Sequence, residues 1–260
     1  MNLNTILLTH SGPVATITLN RPDKRNAISY ELIDDLQRAL DKVQHSDSQV
    51  LIITGAGGAF CSGMDLENLK ALTGRSDEQN LEDSRTMARL FRSIYDFPKP
   101  TIAAVNGPAI AGGTGIATIC DFTIASSDAK FGYTEVRIGF VPAIVSAFLV
   151  SQVGEKQARD LLLTGRIFAA DEALRMGLVT QVVAPEDLTR RAHELAQTLL
   201  ANSPASLRAT KALLAQTVNA ELDKQIEAAV AQNAAIRQTH DFREGISAFL
   251  EKRKPHWSGK

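Results

Sequence analysis

Glu135 is the carboxylate whose neighbours best suit it to move a proton. It stands in Lys130-Phe131-Gly132-Tyr133-Thr134-Glu135-Val136-Arg137-Ile138-Gly139, with apolar residues on both sides and glycines flanking it. Burial among such neighbours disfavours the ionised form and lifts a carboxyl pKa toward the range useful for proton transfer at neutral pH. A surface glutamate paired with Arg137 fits the same segment, and on these residues alone both readings stay open. A second kind of chemistry is offered by two glycine-bearing segments. These are Ala59-Phe60-Cys61-Ser62-Gly63-Met64-Asp65 and Asn106-Gly107-Pro108-Ala109-Ile110-Ala111-Gly112-Gly113-Thr114-Gly115. Each follows a short apolar run, Val50–Ile53 and Ile102–Val105, so each reads as a loop delivered by a buried strand and open to close backbone approach. One N–H from each loop could together hold a single oxyanion.

Other chemistries that these residues imitate fail on their neighbours. Gly58 to Gly63 has the glycine spacing of a phosphate-binding P-loop, but Met64-Asp65 stands where Lys and Ser/Thr are needed. Gly55-Ala56-Gly57 starts like a dinucleotide fingerprint, and Phe60 occupies the third glycine position. Cys61 and Ser62 have no histidine near in sequence and no G-x-S-x-G elbow, which argues against a nucleophile. The five histidines are scattered without metal-ligand spacing, so no metal is expected.

The elements that must carry these residues read as α/β. Val14 to Leu19 alternates as a half-buried strand, followed by the polar loop Arg21-Pro22-Asp23-Lys24-Arg25-Asn26. Ser29 is placed to cap a helix whose apolar positions are Leu32, Ile33, Leu36, Leu40 and Val43. A second helix is expected over about Gln79 to Tyr95, stopped by Pro98 and Pro100. Asp121 to Ile124 and Val179 to Val183 read as further strands, and Thr114 to Cys120 as a short helix. Beyond Asn202-Ser203-Pro204 the pattern is helical only, read as Leu207 to Val218, Leu222 to Thr239 and Phe242 to Glu251.

With 260 residues, 44% apolar content and 22% charge, the chain has the composition of a soluble globular protein. A formal charge of −1 argues against a nucleic-acid partner, whose phosphates require a basic surface. Two cysteines cannot form a disulfide framework, which suits the cytoplasm. Met1-Asn2-Leu3-Asn4 carries no signal-like start, and the apolar stretch Phe140 to Val150 is interrupted by Pro142 and too short for a membrane span.

The order and spacing of these motifs resemble the crotonase (enoyl-CoA hydratase/isomerase) superfamily. Ala104-Val105-Asn106-Gly107, Cys120-Asp121, Leu163-Thr164-Gly165-Arg166, Met176-Gly177-Leu178-Val179 and Gly245 to Arg253 extend the resemblance over essentially the whole chain. It implies a crotonase-type spiral of strand-strand-helix turns over 1–200, and a helical segment over 201–260 that supports trimers or dimers of trimers. By position, the oxyanion hole falls on the N–H groups of Met64 and Gly112, with Gly112 near the positive end of a helix. Glu135 becomes the proton carrier. Lys24, Arg25 and Ala27, with Phe249 and Lys252 from the C-terminal segment, resemble the coenzyme A edge, and Ser62, Asp65 and Gly115 border the same site. Coenzyme A enters as the substrate's thioester carrier, and no separate cofactor is implied.

One departure has chemical weight. Enoyl-CoA hydratases typically place one glutamate at the position of Gly115 and a second at that of Glu135, and this chain keeps the second alone. Many also carry Gly-Gly-Thr-Gln-Arg where Ile144 to Phe148 stands here. Hydration needs a water activated near C3 and a proton delivered to C2, whereas moving a double bond between C3 and C2 needs one base. The expectation is therefore 3,2-enoyl-CoA isomerisation. The alternatives are hydration of an enoyl-CoA or 3-methylglutaconyl-CoA with Glu135 alone, or a silent acyl-CoA-binding scaffold. A glutamate placed at Gly115 is expected to fold and to add hydration.

Overall fold

The computed structural model describes residues 3–260, so the start of the N-terminal reading, Met1-Asn2, lies outside the described residues. Strands β1 (Ile6–Ser11) and β2 (Val14–Leu19) form an antiparallel hairpin, and β3 (Val50–Gly55) returns parallel to β2 after helix α1 (Tyr30–Gln44). Ser29 caps α1 by accepting from the Leu32 N–H. Then follow α2 (Leu66–Ala71) and α3 (Asp77–Tyr95), the latter opened by a reciprocal capping box between Ser76 and Gln79.

The next two turns of chain share one plan. Strands β4 (Thr101–Val105) and β5 (Ala109–Ile110) lead into α4 (Gly112–Ile119); β6 (Phe122–Ser126) and β7 (Lys130–Gly132) lead, through a 3-10 turn at Glu135–Ile138, into α5 (Ala143–Thr164). In each turn the first strand joins a six-stranded sheet and the second a smaller one. After β8 (Ile167–Ala169), α6 (Ala170–Arg175) and β9 (Gln181–Val183), the sheet orders are β1-β2-β3-β4-β6-β9 and β5-β7-β8. Apart from the β1–β2 pair, the large sheet is parallel.

Both faces of that sheet are covered, which explains its unbroken apolar runs. Leu51, Ile53, Ala103 and Val105 point into the main core with α1, α3, α4 and α5, whereas Val50, Ile52, Ile102 and Ala104 pack against α7 (Leu188–Leu200). The successive strands therefore stack in register, and each delivers its following loop to the same edge of the fold.

The C-terminal segment departs from the sequence reading. Residues 207–239 were expected as two helices but form one, α8 (Pro204–Ala235), followed by a 3-10 turn at Ile236–Gln238 and by α9 (His240–Leu250). Val218 to Glu221 holds neither glycine nor proline, so the backbone has no cause to break there. What changes at that point is packing. From Leu222 onward α8 buries Leu222, Ile226, Ala229 and Val230 in the core, while Leu213 and Leu214 ahead of it are exposed. The short helix predicted over Thr114 to Cys120 begins two residues earlier, at Gly112, and the strands expected from Asp121 and Val179 begin at Phe122 and Gln181. Among the described residues, no helix is long and apolar enough to cross a membrane.

Candidate active site

The two glycine loops are stitched together by backbone hydrogen bonds. The N–H groups of Phe60 and Cys61 donate to the Pro108 carbonyl, at 3.0 and 3.2 Å, and the Ile110 N–H donates to Cys61 O at 2.9 Å. The approach is so close that a Cβ on Gly113 would lie 2.2 Å from the Cys61 carbonyl oxygen, which requires glycine there. Gly63 turns the first loop with a φ of +86°, and Gly112 opens α4. Thr114 holds the start of that helix, its hydroxyl donating to Ala109 O and accepting from the Gly132 N–H. Just before Gly112, Ala111 sits at φ 51°, ψ −123°, a conformation that costs an L-residue roughly 1–3 kcal/mol and that the surrounding bonds must hold in place.

The consequence is two unpaired donors. Neither the Met64 nor the Gly112 N–H has an acceptor among the described residues, and both residues line a single cavity of about 930 Å³. Two asparagines that sequence reading passed over brace this corner. Asn26, fully buried, donates to the carbonyls of Ala56 and Ala59, and Asn106 donates to Gly57 O while accepting from the Gly55 N–H. Their signal in the sequence was slight: a small amide at the end of a loop.

Glu135 lines the same cavity, as the first residue of its 3-10 turn. It does not pair with Arg137. The side chain is buried, its Oε2 has no hydrogen-bond partner among the described residues, and desolvation lifts its pKa from 4.5 to about 7, against the smaller pull of its own backbone N–H. The turn is clamped from behind, because a Cβ on Gly139 would meet the Asp241 carbonyl of α9 at 2.3 Å. A carboxyl near neutrality thus shares one cavity with two unpaired N–H donors. Such a set can take a proton from carbon and hold the charge that develops on an adjacent carbonyl oxygen.

Lys24, Arg25, Ala27, Ser62 and Phe249 also line the cavity. Three other expected site residues are placed differently. Asp65 reaches the wall, but its carboxylate accepts from the Glu67 N–H as the cap of α2 and pairs with Arg21 at 2.8 Å, so it serves the loop's shape. Lys252 does not line the cavity; it is exposed in the turn after α9, and Arg253 and Pro255 reach the wall instead. Gly115 is buried behind the wall. A Cβ there would lie 2.4 Å from Phe91 Cε1 and 2.6 Å from Val145 Cγ1, so a glutamate at this position must displace packed side chains even though the backbone has no positive φ. Cys61 is fully buried and its thiol is pushed up to about 12 by desolvation, the condition of an inert core thiol.

The sequence model of the family described as Enoyl-CoA hydratase/isomerase matches residues 9–260. The chain belongs to the enoyl-CoA hydratase/isomerase family. A Thermus thermophilus protein provisionally named an enoyl-CoA hydratase is 45% identical over 247 residues, covering 95% of this chain and 98% of its own. The short-chain-enoyl-CoA hydratase of Clostridium acetobutylicum is 36% identical, with 98% and 97% covered. Among solved structures, an enoyl-CoA hydratase/isomerase from Xanthobacter autotrophicus superposes with a TM-score of 0.89 at 31% identity, over 96% of this chain and 97% of the other. The α/β spiral with its helical C-terminal segment is the crotonase fold, and the protein is an enzyme of the enoyl-CoA hydratase/isomerase family.

Proposed function

We propose that the protein shifts the double bond of a 3-enoyl-CoA thioester to the 2-position. In this reading the Met64 and Gly112 N–H groups receive the thioester oxygen. The Glu135 carboxylate removes a proton from C2, the electron pair passes into an enolate held by the two donors, and the Glu135 acid returns the proton to C4 as the double bond settles between C2 and C3. One group thus serves as base and then as acid, for which a pKa of about 7 is well matched. Lys24 and Arg25 at the cavity rim suit the phosphates of coenzyme A.

The observation that carries the preference for isomerisation is the filled space beside Gly115. Where a second carboxylate would stand, the ring of Phe91 and the methyl of Val145 close the wall. Of the carboxylates lining the cavity, Asp65 is paired with Arg21 while Asp23 and Glu67 are exposed, which leaves Glu135 as the buried, unpaired one among the described residues. The names of the relatives favour the second reading, hydration; in that reading Glu135 both activates water and protonates C2.

A side-by-side assay separates the readings. Conversion of a 3-enoyl-CoA much faster than hydration of crotonyl-CoA supports isomerisation. The reverse ratio supports hydration, and thioester binding without turnover identifies a silent scaffold. Assembly into a trimer or dimer of trimers through the segment 201–260, in the cytoplasm, belongs to the same proposal. Exposed Leu213 and Leu214 on α8 suit such a contact, and light scattering of the purified protein tests it.

A further inference from the structure

The cavity wall built by α3, α8 and the 3-10 turn that follows α8 is apolar at Met87 and Phe91, but Asn233 and Arg237 interrupt it. Both are more than nine-tenths buried. Arg237 ion-pairs with Asp83 at 2.7 Å, and Asp83 is shared with Arg75 at 2.9 Å, while the Tyr30 hydroxyl donates to the same carboxylate. Two guanidinium groups against one carboxylate leave the cluster with one positive charge in excess, with Arg237 buried in the wall and Arg75 keeping about a quarter of its side chain exposed. The Nε of Arg237 has no hydrogen-bond partner among the described residues.

Asn233 brings that charge to the cavity surface. Its Oδ1 accepts from Arg237 Nη2 at 2.6 Å and from Ser84 Oγ at 2.7 Å, which orients the amide and leaves the Nδ2 group without an acceptor among the described residues. An oriented, unused donor backed by a surplus cation is complementary to an anion. A wholly apolar acyl chain would leave both unanswered.

We propose that this wall selects an acyl-CoA whose acyl chain ends in a carboxylate, received by the Asn233 amide over the Arg237 guanidinium. The inference rests on the acyl-CoA reading of the cavity. It does not depend on which double-bond reaction follows.

Calorimetric titration of the intact protein with glutaryl-CoA and pentanoyl-CoA tests it, because these saturated thioesters have equal chain length and differ at the terminal group. Glutaryl-CoA is expected to bind at least about 10-fold more tightly, as for a site built to hydrogen-bond its ligand. Asn233→Leu and Arg237→Met are expected to abolish the difference while pentanoyl-CoA affinity changes by less than about 3-fold. Equal or weaker binding of glutaryl-CoA by the unmodified protein overturns the proposal without recourse to any variant. If Asn233→Leu weakens free coenzyme A as much as glutaryl-CoA, the anion received there is a coenzyme phosphate and the acyl assignment is wrong. Failure of both thioesters and of free coenzyme A to bind overturns the acyl-CoA reading itself.

Discussion

Glu135→Gln should make the protein more stable in a pH-dependent way while removing its activity. The native carboxyl has a pKa of about 7 against an ordinary 4.5, so the folded state holds this proton more tightly than the unfolded chain. A raised folded-state pKa contributes stability that is fully present below about 4.5 and is lost as pH rises through about 7. From these two values, linkage gives a loss of roughly 1 kcal/mol by pH 5 and about 3 kcal/mol by pH 8. Glutamine does not ionise and escapes the loss. Its extra N–H donors, placed where Oε2 already lacks a partner, add an offset that is the same at every pH. Urea unfolding of both proteins at pH 5 and pH 8 isolates the effect, since every other titrating group is common to the pair. Relative to wild type, the variant should gain about 2.5 kcal/mol across that interval. The same substitution should lower turnover by several orders of magnitude with acyl-CoA affinity nearly kept, because the amide cannot accept and return a proton. Parallel stability curves for the two proteins would refute the burial argument, and a variant near wild-type rate would refute the role.

Four further outcomes follow from the same geometry. If Glu135 acts first as a base, kcat/KM should rise with pH through about 7 and then level, and a flat profile between pH 5.5 and 8.5 would remove it from that role. Gly112→Val should lower kcat by about 10²-fold by crowding the oxyanion position, with folding largely kept because its Cβ meets the Ile28 Cδ1 methyl at 3.2 Å and Phe91 Cζ at 4.0 Å, side-chain atoms rather than backbone; full activity in a folded variant would place the carbonyl elsewhere. Gly113→Ala, one residue on, should instead destabilise by about 2 kcal/mol or more in denaturant titration, since its Cβ would press the Cys61 carbonyl and force the two loops apart. Gly115→Glu should lose stability and gain no crotonyl-CoA hydration, because Phe91 and Val145 occupy its space; a thermal midpoint equal to wild type would show that the wall yields more readily than its packing implies.

Much of the backbone path was legible from local pattern. The apolar runs ahead of the two glycine loops, the Ser29 cap and the helical C-terminus each follow from neighbouring residues, and those interactions are short in sequence. Glu135 was legible as a candidate through its apolar neighbours, though the choice between a buried acid and a partner of Arg137 was not. That choice depended on which face of a four-residue turn met the core. Where the sequence reading failed, the deciding contact came from far along the chain. Gly115 is closed off by Phe91 and Val145, Asp65 is occupied by Arg21, and Arg237 meets Asp83 across 154 positions. The backbone of α8 likewise runs on through residues where its buried face begins only at Leu222, against α3 and α5. Local periodicity reports the conformation a segment prefers. Access to a cavity, the protonation of a carboxyl and the room beside a glycine depend on what the folded chain packs against it, and the tertiary structure alone decided these.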